Sequence, residues 1–250
     1  MTYQGDVTVR EALQLSLNIP AIRLLSATGP GRLLGRLHRA RSVLDLPDDT
    51  APGLAIGLGG IGINLTDLVQ AYTVFPNRGR AAILGDGITS EPSPPRRKTF
   101  TAVAAWHVTD MLKGVAPPAD NARLPVAYKT GTSYGYRDAW SVGFDGRHVL
   151  GIWVGRADGA PLPGLSGISA AAPILFDGFL RAGLSFEALP SAPPGAVRIE
   201  NHDLPASVRR FTAPDSSLPS VDVTGSPFSI TYPPDGARVD LGLASGTLAQ

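Results

Sequence analysis

A chain of 250 residues with 43% hydrophobic content is long enough to bury a sizeable core, as one domain plus a smaller piece. Its net charge of +1 gives no reason to expect a nucleic-acid partner, and the lack of cysteine rules out disulfides and thiolate metal sites. Four scattered histidines (His38, His107, His148, His202) show no ligand spacing, and no apolar run approaches the roughly 20 residues of a membrane span.

In chain order, Met1–Gly5 carries neither a basic nor an apolar leader pattern, so no signal peptide is visible. Thr8-Val9-Arg10-Glu11 reads as a capping box opening a short helix. Pro20 suits the first turn of a second helix, stopped by Thr28-Gly29-Pro30. Ser16-Leu17-Asn18 falls in the break between the two, where small polar side chains can point into a cleft. Leu33 to Leu44 predicts a third helix, and its neighbourhood carries Arg23, Arg32, Arg36, Arg39 and Arg41 at helical spacing, as a solvated face would. After the glycine-rich stretch Gly57–Gly62, Thr66 and Asp67 begin a helix whose apolar face is Leu65, Leu68, Val69 and Tyr72. Residues 85 to 97 read as loop, and Thr101 to Lys113 as helix.

The next block is β. Val126 to Thr132 predicts one strand, and Ala139 to Phe144 and His148 to Gly155 predict two more joined at Asp145-Gly146, a strong hairpin signal. Ala171 to Leu184 is a last amphipathic helix. From Leu189 the prolines at 190, 193, 194, 205, 214 and 219 make a semi-extended linker, followed by an alternating hairpin from Phe228 to Leu241 that is too small to fold alone.

Two motif matches fail on context. Gly57-x-Gly59-x-x-Gly62 fits a dinucleotide fingerprint, but no βαβ unit surrounds it. Gly131-x-Ser133-x-Gly135 fits a hydrolase nucleophile elbow, with Asp145 and His148 following in order. An elbow needs a helix directly after its serine, and a hairpin follows here.

Lys129-Thr130-Gly131-Thr132-Ser133 is the most informative segment. Its lysine supplies positive charge, its threonine hydroxyls suit a carboxylate, and its glycine lets an extended peptide lie close to the strand. Lys-Thr-Gly on a strand, with Ser16-Leu17-Asn18 upstream, resembles two of the three elements of penicillin-recognising serine acyltransferases. The resemblance widens through Val7–Ala21, Leu58-Gly59-Gly60, Leu65–Tyr72, Asn77-Arg78-Gly79, Tyr128–Trp140, Gly151–Arg156 and Ala171–Asp177. Together these are similar to the transpeptidase domain of class A penicillin-binding proteins over about residues 3 to 185.

That resemblance implies an α+β fold, an antiparallel sheet flanked by helices. It divides the chain into a C-terminal transpeptidase portion (1–188), a proline-rich linker (189–226) and the start of a β module (227–250). By the same resemblance Ser16 relays a proton to the leaving D-alanine, and Asn18 hydrogen-bonds the stem-peptide amide. Lys129 sets the local field and bonds Ser16, Thr130 and Thr132 hold the substrate or β-lactam carboxylate, and Gly131 leaves room for it. The Thr132 N–H is implied as one oxyanion-hole donor. The implied ligands are peptidoglycan stem peptides ending in D-Ala-D-Ala, and β-lactams, with no metal or organic cofactor. The implied location is the periplasmic side of the inner membrane, reached through an anchor that the 250 residues do not show.

The third element, Ser-x-x-Lys, is absent. Only Lys98, Lys113 and Lys129 are available, and none lies three residues after a serine. Family members carry that element, preceded by two strands of the central sheet, upstream of the segment matching Val7. The expectation is therefore an N-terminally incomplete domain, inactive alone, in which Trp140, Val142, Ile152 and Val154 pack incompletely. A non-catalytic binder of cell-wall peptide or of a partner protein is the alternative.

Overall fold

The structure, a computed structural model, describes residues 7–46, 53–85, 97–119, 121–199 and 201–205. The expected hairpin from Phe228 to Leu241 and most of the proline linker lie outside them. Residues 1–197 form one compact unit and 198–250 a second, in which a single short 3-10 turn, Asn201–Asp203, is described.

In the first unit, α1 (Val9–Gln14) opens with the expected capping box: the Glu11 N–H donates to Thr8 Oγ1, and the Thr8 N–H donates to the Glu11 carboxylate. It is followed by α2 (Asn18–Thr28) and α3 (Pro30–Arg39), separated by Gly29 at φ 87° with Pro30 in the first turn of α3. The third helix stops five residues before the expected Leu44. Arg41 takes a left-handed φ of 60°, and Leu44 belongs instead to β1 (Leu44–Asp45), paired antiparallel with β2 (Gly62–Ile63). Its arginines are exposed, as are Arg23 and Arg41, in keeping with a solvated face, and Arg36 also donates to the Thr99 carbonyl and sits 5.3 Å over the Phe100 ring.

Between β1 and β2 the glycine-rich stretch begins as a 3-10 turn, Leu54–Leu58, packed against α2. No parallel strand accompanies it among the described residues, which removes the dinucleotide reading. Helix α4 (Leu65–Tyr72) is capped by Asn64, whose Oδ1 accepts the Asp67 N–H at 2.7 Å. Then come β3 (Arg80–Ala81) and β4 (Arg97–Lys98), a two-stranded ladder in which Arg97 is strand rather than loop. Helix α5 (Ala102–Leu112), capped by Thr101, ends the helical block.

The main sheet is β5 (Ala127–Thr132), β6 (Asp138–Phe144) and β7 (Val149–Gly155), antiparallel in the order β5-β6-β7. Alternation assigns its two faces. On one, Val126 and Tyr128 meet Ala172, Leu175, Phe176 and Phe179 of α6 (Ala172–Arg181), with the Tyr128 and Phe176 rings edge-on at 5.1 Å. On the other, Ala127 and Phe144 meet Leu112 of α5, Leu13 of α1, and Tyr72 and Phe75. Glycines admit the helices: a Cβ at Gly143 would strike Leu175, and one at Gly151 would strike Val69.

Val142 is fully buried, contrary to the expected loose packing, because β6 is central and covered on both faces. Incomplete cover falls on β7, none of whose residues is buried and whose Trp153 is 37% exposed. No helix among the described residues is long and apolar enough to cross a membrane.

The β6–β7 turn hangs on Asp145. Its carboxylate accepts the N–H groups of Arg147 (2.7 Å), His148 (2.6 Å) and Glu187 (3.0 Å), and lies 3.1 Å from His148 Nδ1. Burial alone would raise its pKa, but the donated hydrogen bonds, chiefly the backbone ones, outweigh burial and hold it below 3.8. This stabilisation is present above the unfolded value and is lost as pH falls below about 3.8. Asp145→Asn turns one oxygen into an N–H facing other donors, so urea unfolding at neutral pH should show a loss of about 2 kcal/mol. The variant should also lack that part of the acid destabilisation. A loss under about 0.5 kcal/mol with an unchanged acid limb would contradict the assignment.

Candidate active site

The site forms where the outer edge of the main sheet meets the α1–α2 break. Strand β5 pairs only with β6 among the described residues, with Lys129 opposite Val142, Thr130 opposite Ser141, Gly131 opposite Trp140 and Thr132 opposite Ala139. Alternation places Lys129 and Gly131 on the face toward α1 and α5, and Thr130 and Thr132 on the face toward α6.

Lys129 Nζ donates to Ser16 Oγ, joining residues 113 positions apart, and to its neighbour's carbonyl, Thr130 O, at 2.8 Å. Ser16 reaches that position through an unusual backbone. Helix α1 ends as Leu17 N donates to Ala12 O at 2.9 Å, leaving Ser16 left-handed at φ 55°, a conformation that disfavours serine. Two anchors hold α1 itself. Arg10 gives Nη2 to Asp110 Oδ2 at 2.6 Å and Nη1 to the Asp110 carbonyl at 2.9 Å, and Gln14 Nε2 donates to Met111 O at 2.7 Å. Asp110 is buried and also faces Lys113 Nζ at 3.3 Å. The α1–α5 contact therefore sets where Ser16 stands relative to β5.

Asn18 is the first residue of α2 and is exposed, two residues from Ser16. Gly131 is also exposed, with only Trp140 Cβ near the place a side chain would fill. Thr132 Oγ1 accepts the Gly167 N–H at 3.0 Å. The sequence motifs therefore converge as Ser16 with Lys129 on one face, and the two threonines present their hydroxyls from the other.

Sequence reasoning missed the segment 166–171. It is a π-helical turn, Gly167–Ala171, capped by Ser166, whose Oγ accepts the Ser169 N–H at 3.2 Å. Gly164-Leu165-Ser166-Gly167 offered the signal, a glycine-serine stretch directly before an amphipathic helix.

The hydrolase triad is excluded geometrically. Ser133 accepts the Asp138 N–H at the start of β6, while Asp145 follows its end. Seven residues at about 3.3 Å each separate them by roughly 20 Å.

Burial lowers the pKa of the Lys129 ammonium from the ordinary 10.5, since desolvation disfavours its charge. With three lysines in the chain, a lysine-labelled sample gives three side-chain signals to follow by NMR. The one lost in Lys129→Arg should titrate below 10.5; a midpoint at or above that value would contradict a desolvated amine.

The penicillin-binding protein transpeptidase domain model matches residues 1–160. Penicillin-binding protein 1C of Escherichia coli K12 is 41% identical over 179 residues, covering 69% of this chain and 23% of that protein. Penicillin-binding protein 1B of Vibrio cholerae is 31% identical over 186 residues, covering 66% and 23%. The chain thus spans less than a quarter of the length of these relatives. Among solved structures, PonA1 of Mycobacterium tuberculosis in complex with penicillin V superposes with a TM-score of 0.60 at 22% identity, covering 77% of this chain and 61% of that one. Penicillin-binding protein A of M. tuberculosis, as a ceftriaxone acyl-enzyme complex, gives 0.54 at 20% identity, covering 71% and 49%. These superpositions establish the shared α+β fold.

Proposed function

The chain belongs to the penicillin-binding protein transpeptidase family, and on that premise we propose that residues 129–132, with Ser16 and Asn18, form part of a site for peptidoglycan cross-linking. The ligand is a stem peptide ending in D-alanyl-D-alanine, or a β-lactam with the same carboxylate. In the full reaction a serine attacks the D-Ala-D-Ala carbonyl and D-alanine leaves with a proton. An amine of a neighbouring stem then takes the acyl group.

The observation that carries this reading is the hydrogen bond from Lys129 Nζ to Ser16 Oγ. It assembles a cation and a hydroxyl from distant segments at an open strand edge, which is what proton relay to a leaving amine requires. In this role Ser16 passes the proton, Lys129 keeps the local field positive, and Asn18 orients the stem amide. Thr130 and Thr132 bind the carboxylate, and the Thr132 N–H faces the developing oxyanion. The absence of glycine's side chain at 131 lets the peptide lie against β5. The site works on the periplasmic side of the inner membrane, where its substrate is.

None of the serines in the 250 residues is followed by lysine three positions on, so acylation needs a serine that this chain does not hold.

Fluorescent penicillin followed by denaturing electrophoresis tests the assignment. The chain alone should give no covalent band; a band lost in Ser133→Ala would instead make Ser133 a nucleophile. Fused behind a Ser-x-x-Lys segment from a relative, it should label, and Lys129→Ala or Ser16→Ala should slow labelling on the order of 100-fold. Labelling of both variants at the unsubstituted rate would overturn the site.

A further inference from the structure

We propose that Gly167 is a positioning residue for carboxylate recognition, acting through Thr132; the inference rests on the proposed ligand-binding role of β5. Three observations converge on it. The Gly167 N–H donates to Thr132 Oγ1 at 3.0 Å, so one lone pair of that hydroxyl is committed to the turn. A hydroxyl whose oxygen already accepts a bond has its proton left to give, and the acceptor it suits best is an anion. Thr130, two residues away, lies on the same face of the strand, so the two hydroxyls can meet one carboxylate.

The second observation is steric. Gly167 is buried, and a Cβ there would overlap the Gly131 carbonyl oxygen, lie 2.6 Å from the Trp140 carbonyl oxygen and 3.0 Å from Gly131 N. These are backbone atoms of the central ladder and cannot rotate away. Only glycine lets the 166–171 turn approach β5 closely enough for its N–H to reach Thr132.

The third is that the turn is held from its other side. Ser166 Oγ accepts Ser169 N and lies 2.6 Å from Ser169 Oγ, and the turn continues directly into α6, whose Ala172, Leu175 and Phe176 are locked in the core. The π-helical geometry, uncommon and concentrated at functional positions, brings residue 167 over Gly131 before the α-helix begins. Gly167 therefore transmits the rigidity of α6 to a hydroxyl on the ligand-facing edge.

The test titrates the 250-residue chain by NMR with N-acetyl-D-alanyl-D-alanine and with its C-terminal amide. The unsubstituted chain should bind the acid and discriminate against the amide. Gly167→Ala and Thr132→Val should each weaken acid binding about tenfold. The double variant should bind no more weakly than Thr132→Val alone, because Gly167 acts through that hydroxyl. Unchanged binding in Gly167→Ala, or a second full loss in the double variant, would overturn the inference while leaving the carboxylate site standing. Failure of the unsubstituted chain to prefer the acid would overturn the carboxylate site and this inference together. If Gly167→Ala does not fold cooperatively, Ser166→Ala, which removes the turn's cap, takes its place. It should weaken acid binding, and lose that effect when combined with Thr132→Val; a full additional loss overturns the inference.

Discussion

The position of strand β5 between two helical layers is the constraint on which the site depends. One face is filled by α6 through Tyr128, and the other by α5 and α1 through Ala127, while β6 pairs with all six residues from Ala127 to Thr132. Burial of both faces fixes the register, since a slip of one residue would send Tyr128 toward α5 and Lys129 toward α6. The same register delivers Lys129 to Ser16 and Thr132 to Gly167. The geometry of the candidate site is a by-product of core packing at the buried end of a strand whose other end is exposed.

Two devices complete the arrangement. On the α1 side, a buried Asp110 and the Gln14 amide hold a six-residue helix that has no buried residue of its own. So short a helix is not stable on intrinsic propensity, and its placement depends on these polar bonds. On the α6 side, a glycine in contact with the strand backbone does the comparable job. The face toward α1 thus adds polar anchors to its apolar packing, and the face toward α6 relies on close packing. They meet at the open edge of β5.

Much of this was legible in the sequence, for identifiable reasons. Thr8 with Glu11, Thr101 before an apolar run, and Asp145-Gly146 between alternating segments are local signals, and each formed as read. The pairing of Ser16 with Lys129 was legible only through family resemblance, because no local rule relates residues so far apart. Where the reading failed, tertiary structure won. Leu44 carried a helical pattern, but Arg41 reverses the chain and Leu44 pairs with Ile63. Arg97 lay in a proline-rich stretch, yet its neighbour Lys98 pairs with Arg80 in a two-residue ladder too short to have a period. The Gly167 turn escaped because its meaning lies in what it touches.

The Lys129 ammonium stands beside residue 16, and a single thiol can report it. The chain has no cysteine, so Ser16→Cys introduces the only one. A thiol beside an ammonium ionises below its ordinary value of about 8.5. Followed by thiolate absorbance or alkylation rate against pH, Cys at position 16 should titrate clearly below that value, and Lys129→Met should return it there. A thiol that ionises near 8.5 whether or not Lys129 is present would place the ammonium away from residue 16.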